Sequence, residues 1–264
     1  MPVVFKRRDV WKPGHKSTGA NRPASNKILI VLPFWDGDKA QHVALARLIA
    51  DLEAQHCELA DILFLARFDA DPDQDTVKYV SRKFNVHIYK CKRRETGWPH
   101  GCNGLNAGAI EFFYNMSRSG KIPGYKALLL CEADCVPLSK TWIRDLSQEW
   151  DRVSREKYVC IAGAFIPNAG ARDHINGGCA FLSGDIAFIG WLATRLGRMS
   201  AGWDWELAPQ FKVRGWADIP AIWSHWRCPD KTEEEVRQLI RTGVLLFHGC
   251  KFFGMLENAR KILL

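Results

Sequence analysis

Residues 125–135 read YKALLLCEADC, an apolar run that ends in Glu132-Ala133-Asp134. Alternate residues of an extended chain point the same way, so both carboxylates can face one point. Two like charges there call for a counter-charge. Mg2+ or Mn2+ supplies one through oxygen ligands and also binds a diphosphate. The same pair could instead cap the next helix and meet a surface lysine. Residues 97–108, GWPHGCNGLNAG, form a glycine-rich approach to a helical pattern. Free N–H groups and the helix dipole suit an anion at such a place. The spacing is neither a Walker nor a Rossmann fingerprint. In HINGGCAFLSGD (174–185) two glycines, Gly177 and Gly178, permit a close backbone approach to a ligand, or mark a bulge. Asp204 and Glu206 open the segment 202–216; taken alone they read as an N-cap with an acid in the first turn. His248 follows Leu246-Phe247 and, taken alone, reads as a core histidine.

The elements that must position these residues alternate. KILIVLPFW (27–35) and ADILFLARF (60–68) are continuous apolar runs, expected as buried parallel strands. Between them Val43, Leu45, Leu48, Ile49 and Leu52 give a helix its apolar face. A helix at 75–84, a strand at 86–92, a helix at 105–116, the strand at 125–135 and a helix at 141–152 complete a pattern of a doubly wound, mostly parallel sheet. The second half is less regular: a strand at 158–165, an extended stretch at 177–188, a helix starting near Asp204, and an apolar segment at 245–253. Ligands of such sheets bind beyond the C-terminal strand ends. Asp69 stands at one such end, unless it only shapes the turn around Pro72.

The composition, 47% hydrophobic in 264 residues, suits a single globular domain at 27–264 behind an irregular tail at 1–26. No apolar run reaches the roughly 20 residues of a membrane span. The opening residues lack the apolar core of a signal peptide. Nine cysteines without a CxxC pair read as reduced thiols, and hence as a cytoplasmic protein, in the host if viral. The net charge of +8 is uneven. Lys6, Arg7, Arg8, Lys12, Lys16, Arg22 and Lys27 stand against Asp9 alone, and Lys90, Lys92, Arg93 and Arg94 form a second cluster. Such patches suit an anionic partner, or are a solvated tail and surface.

Taken in order, these segments resemble the GT-A glycosyltransferases, those of family 2 above all. Glu132-Ala133-Asp134 is similar to the family's DxD motif, with Glu in place of the first Asp. Leu105-Asn106-Ala107-Gly108 is similar to its LNxG pattern, Gly177-Gly178 to its sugar-lining glycines, 202–216 to its acidic helix start, and 246–251 to its His-Gly-x-Lys ending. The resemblance implies a GT-A domain of two halves, nucleotide-sugar-binding at 27–135 and acceptor-binding at 136–264. It implies Mn2+ or Mg2+ on Asp134, Glu132 and His248, with His225 the rival third ligand. It implies a nucleotide-sugar donor, UDP-linked, held by Pro33, Phe34, Asp69, Arg94, Asn106, Glu132, Ala133, Gly177, Gly178 and Lys251. Asp204 falls where inverting members keep their general base, and Glu206 would orient the acceptor.

Three acceptor readings compete. A 5-hydroxymethylpyrimidine in double-stranded DNA, as in phage-type enzymes, is favoured by the basic patches and by eleven tryptophans able to stack on an extruded base. A surface glycan or protein is the second. A non-catalytic nucleic-acid-binding protein on the same fold is the third. A sugar-nucleotide nucleotidyltransferase would open with a glycine-rich phosphate loop, which LPFWDGD lacks.

Overall fold

A computed structural model describes residues 25–167, 172–196 and 198–264. The basic residues from Lys6 to Arg22 lie outside them. In chain order the elements are β1 (Ser25–Phe34), α1 (Lys39–Leu52), β2 (Ala60–Ala66), α2 (Gln74–Val80), β3 (Asn85–Lys90), α3 (His100–Arg118), β4 (Tyr125–Leu130), β5 (Cys135–Pro137) and α4 (Trp142–Glu156). Then follow β6 (Ile161–Gly163), β7 (Phe165–Ile166), β8 (His174–Ile175), β9 (Phe181–Ser183), α5 (Ile186–Leu196), α6 (Trp203–Glu206), α7 (Ala208–Arg214) and β10 (Trp216–Asp218). The chain ends with β11 (Ile222–Cys228), α8 (Glu233–Arg241), β12 (Leu246–Cys250) and α9 (Gly254–Leu263).

Seven strands form one sheet in the order β10-β6-β9-β4-β1-β2-β3, and β9 alone runs against its neighbours. The period-two rule of strands divides the core between the two faces of this sheet. Ile28, Ile30 and Leu32 of β1 pack with Leu45, Leu48 and Ile49 of α1, while Leu29 and Val31 pack with α3 and α5. This is the single α/β domain with helices on both faces that the apolar runs predict.

A second sheet, β11-β12-β5, sets the site. The chain leaves the large sheet at Leu130 and enters the small one at Cys135. Residues 131–134 therefore cross between the sheets. They are tied there by Glu132 N–H to the Gly178 carbonyl (2.9 Å) and by Gly249 N–H to the Asp134 carbonyl (3.2 Å). Gly249 has φ 110°, and a Cβ on it would fall 2.1 Å from the His225 carbonyl oxygen, so only glycine bends β12 this way.

Three expectations are corrected. The tail yields to β1 already at Ser25. The glycine-rich stretch is not a loop ahead of a helix at 105, because α3 begins at His100 and takes Gly101, Gly104 and Gly108 into its interior. A Cβ on Gly108 would meet Cys91 Sγ at 2.8 Å, so these glycines let the helix lie close to the chain leaving β3. The extended stretch at 177–188 is instead a short 3-10 turn, β9 and the start of α5. Asn176 Oδ1 accepts from Gly178 N–H (2.9 Å) and Asp185 Oδ1 from Ala187 N–H (2.8 Å), which break the strand at both ends.

Candidate active site

Glu132, Asp134 and His248 converge, each offering one ligand atom within 4.8 Å of the others. His248 Nε2 lies 3.2 Å from Asp134 Oδ1 and 3.3 Å from Glu132 Oε2. The register explains it: on β12, His248 stands opposite Cys135 of β5 and Ser224 of β11. Ser224 Oγ is 3.0 Å from His248 Nδ1, which leaves Nε2 for the carboxylates. Asp134 and His248 are buried, whereas the Glu132 side chain is 34% exposed. The Lys251 ammonium forms an ion pair with Asp134. Burial alone would lower the His248 imidazole, but Asp134 and Glu132 outweigh it and lift it to about 10. Asp134 is held below the usual carboxylate range: burial opposes ionisation, and His248 and Lys251 overcome it. His225 is exposed and outside this cluster.

Gly178 stands directly before the cluster, and Gly177 links it to Asp204. Gly177 N–H donates to Asp204 Oδ2 (2.8 Å). The two glycines are consecutive, so the Glu132, Asp134 and His248 group and Asp204 flank one stretch of backbone. Asp204 is partly exposed, and its carboxyl is raised: burial pushes it up, the Gly177 N–H opposes, and Glu132 adds to the rise. Asn103 fixes this arm. Its Nδ2 donates to the Ala201 carbonyl (2.8 Å), and its Oδ1 accepts from Trp203 N–H (3.1 Å). Glu206 faces elsewhere, accepting N–H bonds from Ser200 and Ala201 (both 2.9 Å), which close the loop ahead of α6.

The remaining candidates are spread along the strand edge. Pro33 and Phe34 are buried, the Phe34 ring stacked on His42 at 4.1 Å, and β1 instead presents Trp35, 43% exposed. Arg67 lies over the Trp35 ring at 4.9 Å and is held by Asp69 through two bonds (2.7 and 2.5 Å). The Asp69 carboxylate is thus committed to Arg67, which lowers it. Asn106 is buried and donates to the Cys102 carbonyl (3.1 Å) inside α3. Ala133 is buried, and Arg94 is exposed on the segment between β3 and α3. Asp38, missed in the sequence, has its carboxyl pushed up to about 6 by burial, with Glu132 and Asp134 adding to the rise against the Trp35 N–H. Its signal was the Asp36-Gly37-Asp38 turn at the end of the first strand.

Among solved structures the chain is similar to WbbM, a bifunctional glycosyltransferase, at a TM-score of 0.54 and 12% identity over 87% of this chain. The fold is that of the GT-A glycosyltransferases. The chain spans 46% of WbbM and 55% of GlyE from Streptococcus pneumoniae, the latter at a TM-score of 0.49 and 10% identity over 86% of this chain. It also spans all of a glycosyltransferase involved in glycosylation of the major capsid of PBCV-1, at 0.48 and 13% over 90% of this chain. No protein-family model matches the sequence, and no curated protein matches it. No helix among the described residues is long and apolar enough to cross a membrane.

Proposed function

We propose that this chain is a divalent-metal-dependent glycosyltransferase with a nucleotide-sugar donor. The observation that carries the proposal is the meeting of Glu132, Asp134 and His248 at the strand edge, one glycine pair away from Asp204. The fit to Mn2+ or Mg2+ rests on the donor set, two carboxylates and an imidazole held by Ser224. It rests also on Gly178, where any side chain would invade the cluster. Bound there, the cation would neutralise the diphosphate that leaves the sugar.

The protein's own groups supply the rest. Lys251 reaches the same place and can exchange Asp134 for a phosphate oxygen. Asp204 takes the proton of the acceptor hydroxyl as that oxygen bonds to C1 of the donor sugar. The C1–O bond breaks, and its electron pair departs on the nucleoside diphosphate. One carboxylate acting as base suits inversion at a hexosyl C1. Trp35 and Arg67 mark the base end, where UDP is the donor first expected. The basic cluster offered for a duplex-DNA acceptor is half paired, Lys90 with Asp71 and Arg93 with Glu111 (2.8 and 2.6 Å), with Lys92 and Arg94 exposed.

Calorimetric titration of UDP- and GDP-sugars with Mn2+ or with EDTA tests the proposal. Binding that needs the metal and is lost in Asp134→Asn is expected. Binding of equal strength in EDTA, or none with any donor, overturns it.

A further inference from the structure

Resting on the glycosyltransferase reading, we infer that the acceptor is an uncharged carbohydrate, seated beside Asp204 against the rings of Trp98 and Trp205. Both residues stand near that carboxylate. Trp205 N–H donates to Asp204 Oδ1 (3.0 Å), and the Trp205 ring is 36% exposed. A Cβ built on Gly202 would lie 3.1 Å from Asp204 Oδ1 and 4.0 Å from Trp98 Cζ2, so the Trp98 ring edge and the carboxylate border the same point. Trp98 is 73% exposed. Two exposed tryptophans beside one partly exposed carboxylate are a surface built for a ligand.

The chemistry of the walls selects the ligand class. Next to Trp205 lies a cavity of about 430 Å3, lined by Arg172, Ser200, Ala201, Trp205 and Glu206. That is the size of a small-molecule site. Its guanidinium and hydroxyl beside an indole match a pyranose, which has an apolar C–H face and a rim of hydroxyls. Its lining carries one cation and one acid, Arg172 donating to the Glu206 carbonyl oxygen (3.4 Å), and Asp204 beside it adds a second acid, so the site is not cationic. A polyanion requires several cations turned to its phosphates. Of the four basic residues ahead of Trp98, Arg93 is held by Glu111 and Lys90 by Asp71, which leaves Lys92 and Arg94 as the exposed cations there.

The test uses the full chain with the donor and metal that it hydrolyses. Transfer is read by mass onto cellobiose, maltose, lactose and N,N′-diacetylchitobiose, and separately onto a hydroxymethylcytosine duplex. The result expected is transfer to at least one disaccharide, with KM for it raised about tenfold in Trp98→Ala, the worth of one aromatic contact. Trp226→Ala, an exposed tryptophan on β11, should leave that KM unchanged. Transfer only to the duplex, donor hydrolysis with no transfer to any disaccharide, or a wild-type KM in both Trp98→Ala and Trp205→Ala overturns the inference and leaves the glycosyltransferase reading standing. Failure of the wild type to hydrolyse any donor overturns that reading instead.

Discussion

Ser224 Oγ lies 3.0 Å from His248 Nδ1, and this one contact decides which imidazole nitrogen faces Glu132 and Asp134. A partner on the far nitrogen orients a metal-binding histidine, and its loss weakens metal affinity by roughly 10- to 100-fold. Ser224→Ala is therefore expected to raise the Mn2+ Kd by about tenfold, with a loss of about 1 kcal/mol in stability from the orphaned Nδ1. Calorimetric Mn2+ titration checks it.

Gly178 leaves no room for a side chain. A Cβ there would fall 2.5 Å from His248 Nε2 and 2.8 Å from Glu132 Oε2. Gly178→Ala is expected to displace both ligands, with metal affinity falling on the order of tenfold or more. Circular dichroism should remain that of the wild type while metal-dependent donor hydrolysis drops.

Asn103 is 3% exposed, and both ends of its amide are used to hold the chain ahead of Asp204. Asn103→Ala orphans a buried carbonyl and a buried N–H. The expected cost is about 2 kcal/mol, or a Tm lower by roughly 4–8 °C. Metal binding should persist, because no cluster ligand touches Asn103, while transfer slows as Asp204 loses its fixed position. Thermal melts with parallel Mn2+ titration and transfer assays separate the two effects.

Two buried groups should each withdraw stability on acidification, in separate pH ranges, while the raised His248 and Asp38 act the other way. His42 is 1% exposed between the rings of Phe34 and Phe64, and burial pushes its imidazole from 6.5 down to about 3. The unfolded chain takes up this proton first. The His42 contribution is thus whole above pH 6.5 and declines as pH drops towards 3. Asp61 acts lower: burial would raise its carboxyl, but His87, Tyr125 and Lys27 together depress it, so its contribution is lost only below its ordinary 3.8. His248 and Asp38 are common to both proteins, so the urea midpoint of the wild type relative to His42→Phe should decrease from pH 7.5 to 5.5 to 4.5.

The large sheet was legible because its central strands are buried on both faces and so read as unbroken apolar runs, as in ADILFLA of β2. The carboxylate pair was legible because it ends such a run. What the sequence hid is mostly short or distant. The strands β5, β6 and β9 have three residues each, too few for a period to show, and β9 reverses direction without a sequence mark. The start of α3 was missed because glycine disfavours helix interiors, by about 1 kcal/mol each, and here close packing against Cys91 outweighs that penalty. The partnerships Asn103–Trp203 and Ser224–His248 join residues far apart in the chain, and neither amide nor hydroxyl declares its partner. Trp35 was passed over for Phe34, since alternation along a strand end does not say which ring turns outward.

The central claim is that Glu132, Asp134 and His248 hold the cation on which donor cleavage depends. Its most direct measurement is release of nucleoside diphosphate from a panel of nucleotide sugars, without acceptor, in Mn2+, Mg2+ or EDTA. Release by the wild type that needs the metal, and that disappears in Asp134→Asn, is the result expected. Release that survives both EDTA and the substitution would contradict it.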